Sequence, residues 1–275
     1  MPVSPDALLP LIVTPDMLAS HAGHASLLII DVPLDPRSYY AGHVPGAVFL
    51  DARELMAGSG SVPNLPPSPE RLAQLFSSLG VTPDTHVVAY DDEGGGWAGR
   101  LLWTLALVGH TRYSYLDGGI HAWREEGYTT EQDVITPTPS TYEISQLNEH
   151  CAIDMETLRD QLDTLTIWDA RSAEEYRGEL GNSHRRGHMP NAINLDWRLL
   201  RSPDNAYRLH DEATLRGLLS AHGLHGDGQT IVTHCQSHHR SGLTWLVGQA
   251  LGLNIRAYPG SWQEWGNRDD TPITV

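Results

Sequence analysis

LLIIDVPLDPRSYYAGHVPGAVFLD, residues 27–51, returns later in the chain as LTIWDARSAEEYRGELGNSHRRGHMPNAINLD, residues 165–196. Each stretch opens with an apolar run that ends in aspartate, Asp31 and Asp169. Each then runs through a polar segment to Gly-His-x-Pro-Gly/Asn-Ala, starting at Gly42 and Gly187. The separation is 138 residues at the aspartates and 145 at His43 and His188, so the second copy carries seven extra residues in or near ELGNSHRR. Such self-similarity is read before any local feature, because it sets the architecture.

Two more segments recur in the same order. SPERLAQLFSSLGVTPDTHVVAYD, residues 68–91, matches DEATLRGLLSAHGLHGDGQTIVTHC, residues 211–235. Leu72, Leu75, Phe76 and Leu79, and likewise Leu215, Leu218 and Leu219, follow helical spacing, with Gly80 and Gly223 where a helix would stop. Val87-Val88 and Ile231-Val232 then read as short buried strands. The stretch from Gly99 to Gly127 matches that from Gly242 to Gly266: a helix, a short strand, then glycine and a tryptophan-bearing turn. Strands alternating with helices predict an α/β chain of two duplicated domains, each a mainly parallel sheet flanked by helices. The domains are placed at residues 8–128 and 153–271, joined by a Thr-, Ser- and Pro-rich linker over 129–152.

A length of 275 residues suits two domains, and 40% hydrophobic residues suffice for folded cores. Eighteen basic against 34 acidic residues give a formal charge of -16, which argues against nucleic-acid or anionic-membrane partners. Two cysteines cannot build a disulfide framework or a Cys-rich zinc site. The N-terminal MPVSPDALLPLIV has no basic residue before its short apolar run, so it does not read as a signal peptide, and no apolar run is long enough to span a membrane. The expectation is a soluble cytoplasmic protein for which a monomer suffices.

The two copies differ where chemistry is expected, at the carboxyl ends of strands. In the second, Cys235 leaves a buried strand, Gln236, Ser237, His238, His239 and Arg240 form a loop, and a helix is expected to start near Ser241 or Gly242. Loop N–H groups and a helix N-terminus favour anions. They lower a thiol from about 8.5 into the range of roughly 3.5–7.5. Arg240 adds a fixed charge, and His238 and His239 are expected to add partial ones. Cys235 thus reads as a nucleophile in an anion cradle. The first copy has Asp91 in its place, followed by Asp92, Glu93 and three glycines. Three acids lining that loop would repel an anion, which weakens a phosphate-loop reading and marks the first domain as inactive.

These residues resemble the tandem-domain rhodaneses, thiosulfate:cyanide sulfurtransferases, over Leu27 to Trp265. Tyr39 to Leu50 and Arg186 to Leu195 look like the family's first signature, and Cys235-Gln-Ser-His-His-Arg240 is similar to a bacterial subtype with a Cys-Gln-Thr-His-His-Arg loop. The resemblance implies an inactive first domain, as Asp91 fits, and a double displacement. Cys235 takes the outer sulfur of thiosulfate as a persulfide and passes it to cyanide or a thiol acceptor, without metal or organic cofactor. It also assigns Gln236 to Arg240 to the substrate, with Arg171 a candidate outside the loop. Glu175 stands where animal rhodaneses and mercaptopyruvate sulfurtransferases tend to carry a substrate-binding arginine, with Arg177 or Arg185 as replacements. The alternatives are a persulfide delivery protein for a partner and a 3-mercaptopyruvate sulfurtransferase, although the latter resemble Cys-Gly-Ser/Thr-Gly in this loop. A phosphatase is disfavoured, because four rather than five residues separate Cys235 from Arg240.

Other features have plain structural readings. His43 and His188 occupy matching places in both copies and read as structural, as do Asp31 and Asp169. Trp123, Trp262 and Trp265 read as packing residues, Trp262 with a possible place at the site. Cys151 reads as incidental. His222 and His225 lack a third ligand for zinc.

Overall fold

The computed structural model describes residues 7–275 apart from Ser61 and Asp227; Met1 to Asp6, the start of the stretch read for a signal peptide, lie outside the described residues. The first domain holds β1 (Ile12–Val13), β2 (Leu27–Asp31), β3 (Val48–Phe49), β4 (His86–Tyr90) and β5 (Tyr113–Leu116), all parallel, in the order β1-β5-β4-β2-β3. Its helices are α1 (Pro15–Ser20), α2 (Pro36–Ala41), α3 (Pro69–Ser78), α4 (Gly96–Leu107) and α5 (Gly119–Glu125).

The second domain repeats this plan with β6 (Thr166–Asp169), β7 (Ile193–Asn194), β10 (Ile231–His234) and β11 (Ile255–Ala257) in the order β11-β10-β6-β7. Its helices are α6 (Met155–Asp160), α7 (Ala173–Tyr176), α8 (Glu212–Ala221), α9 (Arg240–Ala250) and α10 (Ser261–Trp265). The edge strand β1 is reduced here to one parallel bridge between Ala152 and Ala257. An antiparallel pair, β8 (Arg201–Ser202) and β9 (Arg208–Leu209), occurs in this copy and reaches the first domain: Arg201 donates to the Glu93 carbonyl at 2.6 Å, and Leu209 N–H to Asp117 at 2.8 Å.

The matched helices form for matched reasons. Ser68 caps α3 by accepting from Arg71 N–H, and Asp211 caps α8 by accepting from Thr214 N–H. Leu72 and Phe76, and Leu215 and Leu219, are buried on one face of each helix. Gly80 and Gly223 follow with φ of 81° and 80°, a left-handed stop that glycine adopts without a Cβ clash. His43 and His188 are structural in both copies: each Nδ1 lies 2.9 Å from the carbonyl of the tyrosine it stacks on, Tyr39 and Tyr176.

The domains share one interior. A single apolar cluster runs from Phe76 and Trp103 of the first domain to Trp168 and Leu243 of the second, across the packing of α4 on α9. Gly99 and Gly242 meet at that crossing. A Cβ on Gly99 would lie 2.5 Å from the Gly242 carbonyl carbon, and one on Gly242 would lie 2.4 Å from Arg100 N. That approach brings the loops before α4 and α9, which carry Asp91 and Cys235, to the same seam.

Candidate active site

Both loops leave the end of a central strand. In the first domain the chain passes from β4 into Asp91, and its carboxylate fills the turn that follows. Oδ1 accepts from the N–H groups of Glu93, Gly94 and Gly95 at 3.2, 3.0 and 2.8 Å, and Oδ2 from Ala98 N–H at 3.0 Å. Gly94 and Gly95 take φ of 93° and 102°, which turns successive amides inward. The loop is therefore an anion cradle already occupied by its own side chain. The expectation of three acids lining it is corrected. Asp92 turns away to accept from Leu34 N–H and the Ser38 hydroxyl, and Glu93 reaches across the seam to His239.

In the second domain Cys235 follows β10 and is fully buried. Its backbone is clamped: its N–H donates to Ser261 Oγ at 3.4 Å, and its carbonyl accepts from Trp262 N–H at 3.0 Å. The sulfur accepts from the Ser241 hydroxyl at 3.5 Å, and the Ser241 amide also points at it. Ser241 is the counterpart of Ala98, so the two cradles grip their occupants from the same helix position. His238, with φ of 53°, takes the left-handed place that glycine fills in the first copy, and its Nδ1 lies 2.8 Å from Ser241 Oγ.

Burial pushes the Cys235 thiol up, but Arg240, the Ser241 hydroxyl and amide, and His239 overcome it, and the net direction is down. The thiolate form of Cys235 is therefore favoured relative to a buried thiol without these neighbours. Cys151 shows the opposite outcome: burial pushes it up to about 11, so it stays a thiol.

A Rhodanese-like domain family matches residues 14–126 and again 154–268. The chain belongs to the rhodanese family. It is similar to a thiosulfate sulfurtransferase of Azotobacter vinelandii, 41% identical over 98% of both chains. It is also similar to one of Pseudomonas aeruginosa, 39% identical over 97% of this chain and 98% of the relative. Among solved structures it is similar to a 3-mercaptopyruvate sulfurtransferase of Escherichia coli, with a TM-score of 0.80 and 28% identity over 92% of this chain and 98% of that one.

Within this rhodanese loop the sequence-predicted residues divide. Arg240 is the first residue of α9, one position before the expected start. It is partly buried rather than loop-exposed, and it is held by Glu175 through two hydrogen bonds of 2.6 and 2.8 Å. The acid found at the expected arginine position thus compensates the loop arginine. His238 carries no charge, contrary to expectation: burial, with Arg100 and His239 nearby, holds its imidazole well below the usual range. His239 stacks on Trp97 of the first domain at 4.4 Å, which accounts for that tryptophan.

Gln236 turns its amide to Ser183, at 3.1 Å, and Gln263, at 3.2 Å, so the seven-residue insertion of the second copy braces the loop. Ser237 is half-buried, and its hydroxyl has no partner among the described residues. Arg171, expected at the substrate, is 1% exposed; it is paired with Asp169 at 2.5 Å, donates to Gly187 O and stacks over Trp262 at 4.3 Å. Arg177 pairs with Glu179, and Arg185 with Thr271 and the Trp265 carbonyl. Sequence reasoning missed Ser241 and Ser261. A hydroxyl directly after Arg240, where a helix was expected to begin, was the available signal for Ser241.

Proposed function

We propose that the chain is a thiosulfate sulfurtransferase that works through a persulfide on Cys235. The observation that carries this reading is the pair of matched cradles. The first domain places a carboxylate within reach of four amides, and in the second the sulfur of Cys235 stands at the corresponding point of the scaffold, where it accepts from the Ser241 hydroxyl. The relatives from Azotobacter and Pseudomonas support the donor.

The chemistry follows from the charges. The Cys235 thiolate attacks the outer sulfur of thiosulfate and a new S–S bond forms. The bond between the two thiosulfate sulfurs breaks, and sulfite leaves with its electron pair. Cyanide, or another thiophilic acceptor, then attacks the outer persulfide sulfur; thiocyanate departs and the thiolate returns. Each step conserves charge, and no redox partner, metal or organic cofactor enters. Amides and a cation already aimed at negative charge do not reorganise during either displacement, and the covalent intermediate divides one transfer into two.

Both domains of one chain meet at the site, which supports action as a monomer. Two free cysteines support a reducing, cytoplasmic setting. No described helix is long and apolar enough to cross a membrane. The decisive experiment is intact-mass analysis before thiosulfate, after it, and after cyanide. One sulfur atom should be gained and then lost, with thiocyanate formed, and Cys235→Ser should do neither. Turnover by Cys235→Ser at the wild-type rate would overturn the reading.

A further inference from the structure

The first domain does more at the seam than cover it. Arg100 is the only charged residue of α4 and is fully buried. Nη2 donates to the carbonyls of Leu55 and Asn64 at 2.9 and 3.0 Å, Nη1 approaches the His238 carbonyl at 3.4 Å, and Nε has no partner among the described residues. No carboxylate among the described residues pairs with it; burial pushes its guanidinium down to about 9, and Cys235 is the group that opposes this. A buried cation held only by carbonyls is costly, so a balancing anion is the natural account of its retention.

The charges around the sulfur make the point. Arg240 is paired with Glu175, His238 is neutral, and His239 hydrogen-bonds to Glu93. With Cys235 ionised, Arg240, Glu175 and the sulfur sum to one negative charge, and Arg100 brings that sum to zero. The contacts that hold the sulfur also trace back to Arg100 and its neighbours. His238, whose carbonyl Arg100 meets, packs edge-on against Trp103 of the first domain at 4.3 Å and bonds to Ser241, which donates to Cys235. Asn64, whose carbonyl takes Arg100, donates to the carbonyls of Pro259 and Gly260 at 2.5 and 3.3 Å, just before the Ser261 and Trp262 groups that clamp the Cys235 backbone.

We propose that Arg100 of the Asp91-bearing domain is a positioning residue for Cys235: its buried guanidinium anchors the left-handed His238 turn and balances the charge of the sulfur, so the catalytic cradle is incomplete without the inactive domain. This rests on Cys235 being the sulfur-carrying residue.

The test compares wild type, R100Q, R100K and the double variant R100Q/E175Q by the pH dependence of Cys235 alkylation, resolved from Cys151 by peptide mass. That readout needs no turnover, so it separates this proposal from the thiosulfate reading. R100Q should raise the alkylation midpoint by about one pH unit, slowing alkylation by roughly tenfold at pH values below the wild-type midpoint. In R100Q/E175Q, loss of the neighbouring acid should bring the midpoint most of the way back, which a merely structural role would not do. In turnover below the wild-type midpoint, R100Q should lower kcat by roughly tenfold and leave the thiosulfate KM within about twofold, the split expected of a residue that acts through Cys235. If R100Q does not fold, R100K decides: a retained cation should keep the midpoint within about 0.3 pH unit of wild type. An unchanged midpoint in R100Q, no recovery in the double variant, or a full upward shift in R100K would each overturn the proposal.

Discussion

Asp91 and Cys235 stand at corresponding points of two copies of one scaffold, and the contrast between them separates what the fold requires from what the chemistry requires. In the first domain four amides bind a carboxylate that the chain itself supplies, so the ring of N–H groups is permanently satisfied. In the second the occupant is a sulfur that burial pushes up, while Arg240, Ser241 and His239 turn the net direction down. The corresponding loop position in the first copy is the neutral Trp97, which stacks on His239 instead. An amide from the first turn of the following helix, Ala98 N–H for Asp91 and Ser241 N–H for Cys235, is thus common to both copies. The cation, the hydroxyl and the left-handed histidine belong to the reactive one.

The largest expected effect comes from making the second cradle like the first. Cys235→Asp places a carboxylate where amides already converge. Thiocyanate formation should fall by at least about 10³-fold. The melting temperature should stay within a few degrees of wild type, because the Ser241 N–H matches the Ala98 N–H that Asp91 accepts from in the first domain. A melting temperature several degrees lower would show that the two cradles are not equivalent anion sites.

The reverse experiment is smaller and concerns stability alone. Asp91→Ala leaves the amides of Gly94, Gly95 and Ala98 without their buried acceptor. The expected cost is about 2 kcal/mol in denaturant unfolding. Because α4 carries Trp97 and Arg100 into the seam, Cys235 alkylation should change with it. Loss of stability with a wholly unaltered Cys235 would cut the link between the two cradles.

These particulars also show where reading the sequence ran out. The duplication was legible because periodicity, helix stops and strand runs are local signals that recur in register, as Gly80 and Gly223 do. Cys235 stood out as a candidate because it breaks the repeat at the end of a buried strand, where the first copy has Asp91. The pairings were not. Nothing in the spacing of Glu175 and Arg240 announces their ion pair, 65 positions apart, and nothing near Asp169 tells whether Arg171 faces a substrate or its own strand end. His238 looked like a source of charge because its sequence neighbours are polar. It is neutral because Trp103 and Arg100, more than a hundred residues earlier, bury it. Long-range burial decides protonation, and local sequence does not encode it.

The smallest effect sharpens the comparison at a second matched pair, the aspartates that end β2 and β6. For Asp169 burial pushes upward, but His234 and Arg171 outweigh it and hold the carboxyl below its usual range, so it is ionised. Among the described residues no arginine pairs with Asp31, and Arg124 lowers it only slightly. Burial, aided by Asp92 and Asp91 and only partly opposed by Tyr90, holds it well above the usual value. A folded-state value raised above the unfolded one means that the contribution of Asp31 is fully present below about pH 4 and is lost as pH rises through the folded value. Asp31→Asn removes that titration while keeping the shape. Its stability relative to wild type should therefore grow from pH 4 to pH 8, by about 1 kcal/mol in guanidinium unfolding. Parallel stability profiles for the two proteins across that range would mean that Asp31 is ionised like Asp169, and that the two domains share a charge state here as well as a backbone.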